Sequence, residues 1–306
     1  MIEVSGLTKT FGSRTAIDNL NFKINAGEIV GFLGPNGAGK STTMKILTGI
    51  MPASAGTARV AGFDVFDEAL EVKKNVGYLP ENPPVYFDMV VSEYLEYAAK
   101  LHLVPAKKLK AAVDIALEKA GLTHVRYRLI GNLSKGYRQR VGIAQAIVHD
   151  PKVMILDEPT VGLDPLQIIE VRELIQSLAG AHTVILSSHI LPEVTATCAR
   201  IVVINKVLIA DLTHVEAQQN FQMLVRNPTP SGLKALSLVT GVKRVTSLLA
   251  GNATRIKIEL LPESQDLREA LLDIGIREQM KVLEFASEKL SLEEMFLRLT
   301  TQGHAL

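Results

Sequence analysis

Gly34-Pro35-Asn36-Gly37-Ala38-Gly39-Lys40-Ser41 is the stretch from which the rest of the chain can be read, because it fits the phosphate-loop pattern G-x-x-x-x-G-K-S/T. The apolar run Ile29-Val30-Gly31-Phe32-Leu33 before it reads as a buried strand, and Lys40 to Leu47 after it reads as a helix stopped by Gly49 and Pro52. Glycines let such a loop turn successive backbone N–H groups toward one point, and the helix start adds unpaired donors and the positive end of its dipole. The result is a cradle for phosphate oxygens. In it Lys40 is expected to reach the β- and γ-phosphates of a nucleotide and the Ser41 hydroxyl to ligate Mg²⁺, with Gly34 to Thr42 as the binding set. A plain glycine-rich turn would match the same letters, but the strand before and the helix after favour the nucleotide.

On either side of this loop the pattern is that of an α/β protein with a largely parallel core sheet. Ile2 to Val4, Leu20 to Ile24, Gly56 to Val60 and Val76 to Pro80 read as short strands. Val153 to Leu156, Val184 to Ser187 and Ile201 to Ile204 are apolar without alternation, as strands covered on both faces are. Between them Val91 to Val148 reads as helical, punctuated by Pro105, Gly121 and Gly131, which predicts a helical subdomain of about residues 84–150 inserted in a domain of residues 1–210. Residues 211–306 change character: strand, helix, two strands around Gly251-Asn252, helix and strand follow in turn. That βαββαβ order predicts a small ferredoxin-like α+β domain. A last helix is expected from the capping box Ser291/Glu294, with Leu292, Met295, Phe296 and Leu299 on one face, a stripe that reads first as a packed face of its own domain.

Composition narrows the function classes. The 306 residues are 47% apolar and 21% charged with a formal net charge of +1, which fits globular domains and lacks the basic excess that binding nucleic acid by charge alone requires. Cys198 is the single cysteine, so no internal disulfide forms and a reducing compartment fits. Neither a secretory leader nor an apolar run of the roughly 18–20 residues needed to span a bilayer is visible.

The chemistry sits at strand ends. Asp157 and Glu158 follow the buried strand Val153 to Leu156, at the carboxyl edge of the sheet where the phosphate loop also lies. Asp157 is placed to hold Mg²⁺, directly or through water, and Glu158 to orient and deprotonate an attacking water. His189, two residues past the strand Val184 to Ser187, reaches the same edge and is a candidate partner of the γ-phosphate. Leu133-Ser134-Lys135-Gly136-Tyr137 opens a second helix with an N-cap at Ser134 and an open first turn at Gly136. It reads either as an ordinary capped helix or as a second anion site, which is surplus if one chain holds one ATP.

With these residues in place the chain resembles the ATP-binding cassette family, the ATPase subunits of ABC transporters, over about residues 2–210. Gly34 to Ser41 is similar to that family's Walker A, the stretch Leu133 to Tyr137, keeping Ser134 and Gly136, to its signature, and Asp157 with Glu158 to Walker B and the catalytic glutamate. Gly162-Leu163-Asp164 resembles the D-loop and His189 the switch histidine, while Phe11 is similar to the aromatic that stacks on adenine, an aromatic core residue being the other reading. The resemblance implies ATP and Mg²⁺ as ligands, and two cassettes closing head to tail over two ATPs. The partners it implies are a second copy or a paralogue and a separately encoded transmembrane permease, with no direct nucleic acid. It implies a cytoplasmic subunit held peripherally on the inner face of the membrane. The chain departs from the family pattern at Lys135 and Tyr137 and at Glu81, which stands where a glutamine is usual. Glu81 is either a Mg²⁺ ligand or a residue coupling the site to the partner. These variants and the ending Ser291 to Phe296 look most like export-type cassettes of the gliding-motility and multidrug kind. The competing reading is a cassette ATPase without a permease, acting on nucleic acid, ribosomes or cofactor assembly.

Overall fold

The computed structural model describes residues 1–213, 219–261 and 267–289. They fall in two compact units that divide after Leu212.

The first unit opens with a long hairpin, β1 (Ile2–Phe11) and β2 (Arg14–Ile24), turned at Gly12-Ser13 with Phe11 paired to Arg14. The sequence reading placed only the two ends of this hairpin in strands. Its middle is held by cross-strand pairing with several register shifts, which leave no clean alternation to read. β3 (Ile29–Leu33) runs into the phosphate loop and α1 (Lys40–Leu47). β4 (Ala55–Val60) pairs antiparallel with β1, and β5 (Phe63–Asp64) completes a four-stranded sheet in the order β2-β1-β4-β5. α2 (Ala69–Asn75) and β6 (Val76–Leu79) lead to a helical block of α3 (Val91–Leu101), α4 (Leu109–Lys119) and α5 (Lys135–Ile147).

The chain then returns to strands: β7 (Val153–Asp157), α6 (Pro165–Ser177), β8 (Thr183–Ser188), α7 (Leu191–Thr197), β9 (Arg200–Asn205) and β10 (Val207–Thr213). The second sheet has the order β10-β9-β3-β8-β7-β6, and β3 pairs parallel with both β8 and β9. Every residue of β7 and β8 is buried, which accounts for the uninterrupted apolar runs. Because β3, β7 and β8 are parallel neighbours, the loops that follow them open at one carboxyl edge. Phe32, Met44, Ile155, Ile185 and Val202 belong to the core cluster behind that edge. The helical block is tied to the sheet where α5 meets β6. A Cβ on Gly77 would lie 1.9 Å from the Ala146 carbonyl oxygen, so only glycine permits this approach.

The second unit contains β11 (Gln219–Val225), α8 (Pro230–Ser237), β12 (Val242–Ala250), β13 (Ala253–Leu260), α9 (Arg268–Arg277) and β14 (Val282–Lys289). Its strands form one sheet, β12-β13-β11-β14, with antiparallel pairs throughout. Phe221, Met223, Ile256 and Ile258 from the sheet meet Leu236 of α8 and Leu271 of α9 in a core of their own. In β13 buried positions alternate with exposed or half-buried ones, as a sheet covered on one face requires. The helix expected around Ser291 to Leu299 lies outside the described residues.

Candidate functional site

The phosphate loop is shaped by two glycines in the left-handed region, Gly37 at φ +80° and Gly39 at φ +96°. At Gly39 the conformation coincides with a tight contact, since a Cβ there would sit 2.3 Å from Ile17 Cγ2 of β2. Gly39 is also the N-cap of α1, and no side chain caps that helix. Its opening turn is thereby left to the loop. Lys40 follows, 6% exposed, with Nζ donating to the Gly34 carbonyl at 2.8 Å and the Pro35 carbonyl at 3.3 Å. The ammonium is thus curled over the loop it is meant to serve.

Opposite stand the residues at the ends of β7 and β8. Asp157 is 2% exposed and accepts a 2.5 Å hydrogen bond from Ser187 Oγ. Glu158, 7% exposed, has φ +49°, a conformation uncommon outside glycine. Its Oε1 lies 3.3 Å from Lys40 Nζ, and its Oε2 lies 3.0 Å from His189 Nδ1. One carboxylate therefore bridges the lysine of the loop and the histidine after β8. Behind it the Tyr78 hydroxyl is buried without a hydrogen-bond partner; burial first, and then the Asp157 charge, push it well above the ordinary phenol range.

An open cleft of about 640 Å³ joins these groups; its lining includes Asn36, Gly37, Gly39, Lys40, Ser41, Thr42, Glu81, Glu158, His189 and Phe11. Phe11 is half exposed and carries Lys9 Nζ 5.2 Å from its ring centroid, so it is not the core aromatic that was the other reading. Gly34, Pro35 and Ala38 belong to the loop but not to the cleft lining, and Asp157 lies behind it. The cleft also takes in Arg14, Ala16 and Val161, which sequence reasoning did not single out. Arg14 is brought there by its pairing with Phe11 across the hairpin turn, a consequence of turn geometry that no motif announces.

Ser134, Gly136 and Tyr137 are not part of this lining. They open α5 elsewhere on the unit: Ser134 Oγ accepts from the Tyr137 amide at 3.4 Å, and the Tyr137 hydroxyl meets His124 Nε2 at 3.1 Å. Asp164 caps the neighbouring α6 by accepting from the Gln167 amide at 2.9 Å, and Arg140 of α5 pairs with Glu170 of α6.

The cleft suits a nucleoside triphosphate: an aromatic face at one end, a glycine loop with a buried lysine at the other, and a carboxylate beyond it. Among the described residues no group of three or more His, Cys, Asp or Glu is arranged to hold a metal. Mg²⁺ does not need one, since it keeps several waters and is shared between one or two carboxylates and phosphate oxygens. The Ser41 hydroxyl, the Glu81 carboxylate in the lining and Asp157 behind it are a donor set of that kind.

Comparison with known proteins points one way. The family model described as ABC transporter matches residues 17–161. YhcH of Bacillus subtilis (strain 168), named as an uncharacterised ABC transporter ATP-binding protein, is 33% identical over 98% of this chain and 96% of its own length. The bacitracin transport ATP-binding protein BcrA of Bacillus licheniformis is 41% identical over 63% of each chain. A solved structure described as the ATP-binding subunit of an ABC transporter superposes with a TM-score of 0.63 at 28% identity, covering 70% of this chain and 90% of its own.

Proposed function

The chain belongs to the ATP-binding subunits of ABC transporters, and we propose that it hydrolyses ATP with Glu158 as base and drives a separately encoded membrane permease in the direction of export. The observation that carries the catalytic part is the Glu158 carboxylate held between Lys40 and His189 in one cleft. With the triphosphate in the loop, Lys40 turns from the Gly34 and Pro35 carbonyls to the β/γ-phosphates, and Glu158 is left to receive a proton from the attacking water. His189 holds Oε2 of that base and, from the same cleft lining, would reach the γ-phosphate. Ser41 and Asp157 would hold Mg²⁺, which would supply positive charge to offset the negative charge developing on the phosphate oxygens. Glu81 is an exposed residue of the cleft lining, five residues before the exposed Tyr86 and Phe87. This supports the second reading of Glu81, as the residue linking the cleft to a docked permease.

The helix start at Ser134, Gly136 and Tyr137 lies off the cleft of its own chain, which supports its use on the nucleotide of a second copy or a paralogue. Among the described residues no helix is long and apolar enough to cross a membrane, which supports a peripheral subunit held at the inner face by its permease. The relative named for bacitracin transport supports a transported substrate of that kind. The near-neutral charge gives no support to the nucleic-acid alternative.

Glu158→Gln tests the assignment. A general base contributes about 10²–10⁴ in rate, so single-turnover hydrolysis should fall by that factor while ATP affinity holds; an unchanged rate would remove Glu158 from the role.

A further inference from the structure

We propose that Ser187 is a positioning residue for hydrolysis, a single hydroxyl that sets both the Asp157 carboxylate and the backbone of Glu158. The inference rests on the assignment of Asp157 and Glu158 above. Ser187 is fully buried, and the parallel register of β7 and β8 places it beside Asp157. Its Oγ–H donates to Asp157 Oδ1 at 2.5 Å. The same oxygen accepts the Glu158 amide at 3.0 Å, and the Ser187 carbonyl accepts that amide at 3.2 Å.

The two jobs are coupled by geometry. A hydroxyl has one proton to give. Given to Asp157, it fixes which carboxylate oxygen stays free to face a metal and presents lone pairs to the Glu158 amide. That amide belongs to a residue at φ +49°, where a side chain is strained and persists only if its surroundings over-determine it. Two acceptors on one N–H supply that constraint. Partners of this kind, which orient a ligating carboxylate, typically change metal affinity by about 10–100-fold when removed.

The test compares Ser187→Ala, Ser187→Thr and Ser187→Cys in the full chain, each checked for its melting temperature. Mn²⁺ binding with ADP present, read by electron paramagnetic resonance, should weaken about tenfold or more in Ser187→Ala, and kcat should fall with it. Binding of a fluorescent ATP analogue in EDTA should stay within about twofold, because the phosphate loop is untouched, an order set by measured context effects. Ser187→Thr keeps the hydroxyl and should restore both Mn²⁺ affinity and kcat. Should Ser187→Ala fail to fold, Ser187→Cys, a near-isostere with a poor donor, should show the same split. Wild-type Mn²⁺ affinity and kcat in the Ala or Cys variant would overturn the proposal, as would a parallel loss of metal-free nucleotide binding. A wild-type chain with no ATPase activity would instead defeat the assignment of Glu158, and the Mn²⁺ measurement would still decide the role of Ser187.

Discussion

Two helices of the first unit start at places suited to an anion, and they are finished differently. α1 begins at Gly39 with no side-chain cap, and its first residue is a buried lysine facing a buried carboxylate. α5 begins at Ser134, which caps its own helix, in a turn where Ser134 and Lys135 are exposed. An N-terminus that the chain leaves uncapped, beside a buried cation, has unpaired donors that a phosphate would satisfy. One that caps itself has already satisfied part of its need, and an anion gains only what is left. On the proposed function the difference becomes a division of labour, with α1 carrying nucleotide affinity and α5 offering a weaker contact to a nucleotide presented to it.

The largest test of that division is Lys40→Ala. Losing a charge-assisted contact of about 3 kcal/mol should weaken ATP binding roughly a hundredfold, as measured by titration of a fluorescent analogue. Binding at wild-type strength would mean that the two helix starts are not so different. A second test uses the far end of α5. His149 stacks on His102 at 3.7 Å between ring centroids and makes a 3.2 Å contact with the Val76 carbonyl. Burial first, then the neighbouring imidazoles of His102 and His182, pull its pKa down from 6.5 to about 3. As pH falls below 6.5 the unfolded chain takes up a proton that the folded chain refuses, so stability is full above 6.5 and is lost toward 3. Between pH 7 and 5 the loss should be about 2 kcal/mol. Chemical denaturation at the two pH values should show it, and His149→Gln should flatten the slope; an unaltered slope would mean the imidazole is not what holds that end. The smallest effect belongs to Ser134→Ala. The lost cap costs about 1 kcal/mol of folding stability, ATP affinity of the single chain should not move, and ATP-driven pairing of a Glu158→Gln background should weaken in light scattering. A drop in single-chain affinity would erase the contrast between the helices.

How much of this could be read from the sequence follows from the range of each interaction. The phosphate loop, Asp157 and Glu158 were legible because strand, loop and helix lie next to each other in the chain. β7, β8 and β9 were legible as apolar runs, and the described elements of the second unit follow the expected order because Gly251 and alternating residues mark its hairpin. Ser187 was not. It reads as one more serine at a strand end, and its role appears only when residues 30 positions apart become cross-strand neighbours. Arg14 was hidden because no motif marks a residue placed by the turn at Gly12-Ser13, and the strand character of the middle of β1 and β2 was hidden by the register shifts in their pairing. α6 and α7 went unread although Pro165 and Pro192 sit in their first turns; α7, with only 7 residues, is too short to show a helical period.

The close seat of Gly77 under Ala146 has a mechanical consequence. With its last turn fastened to the sheet, α5 cannot slide, so any rearrangement must swing its other end about that pivot. Its 13 residues span about 20 Å. A tilt of only about ten degrees at the base would therefore carry Ser134 roughly 3 Å sideways, the difference between touching a phosphate oxygen and missing it.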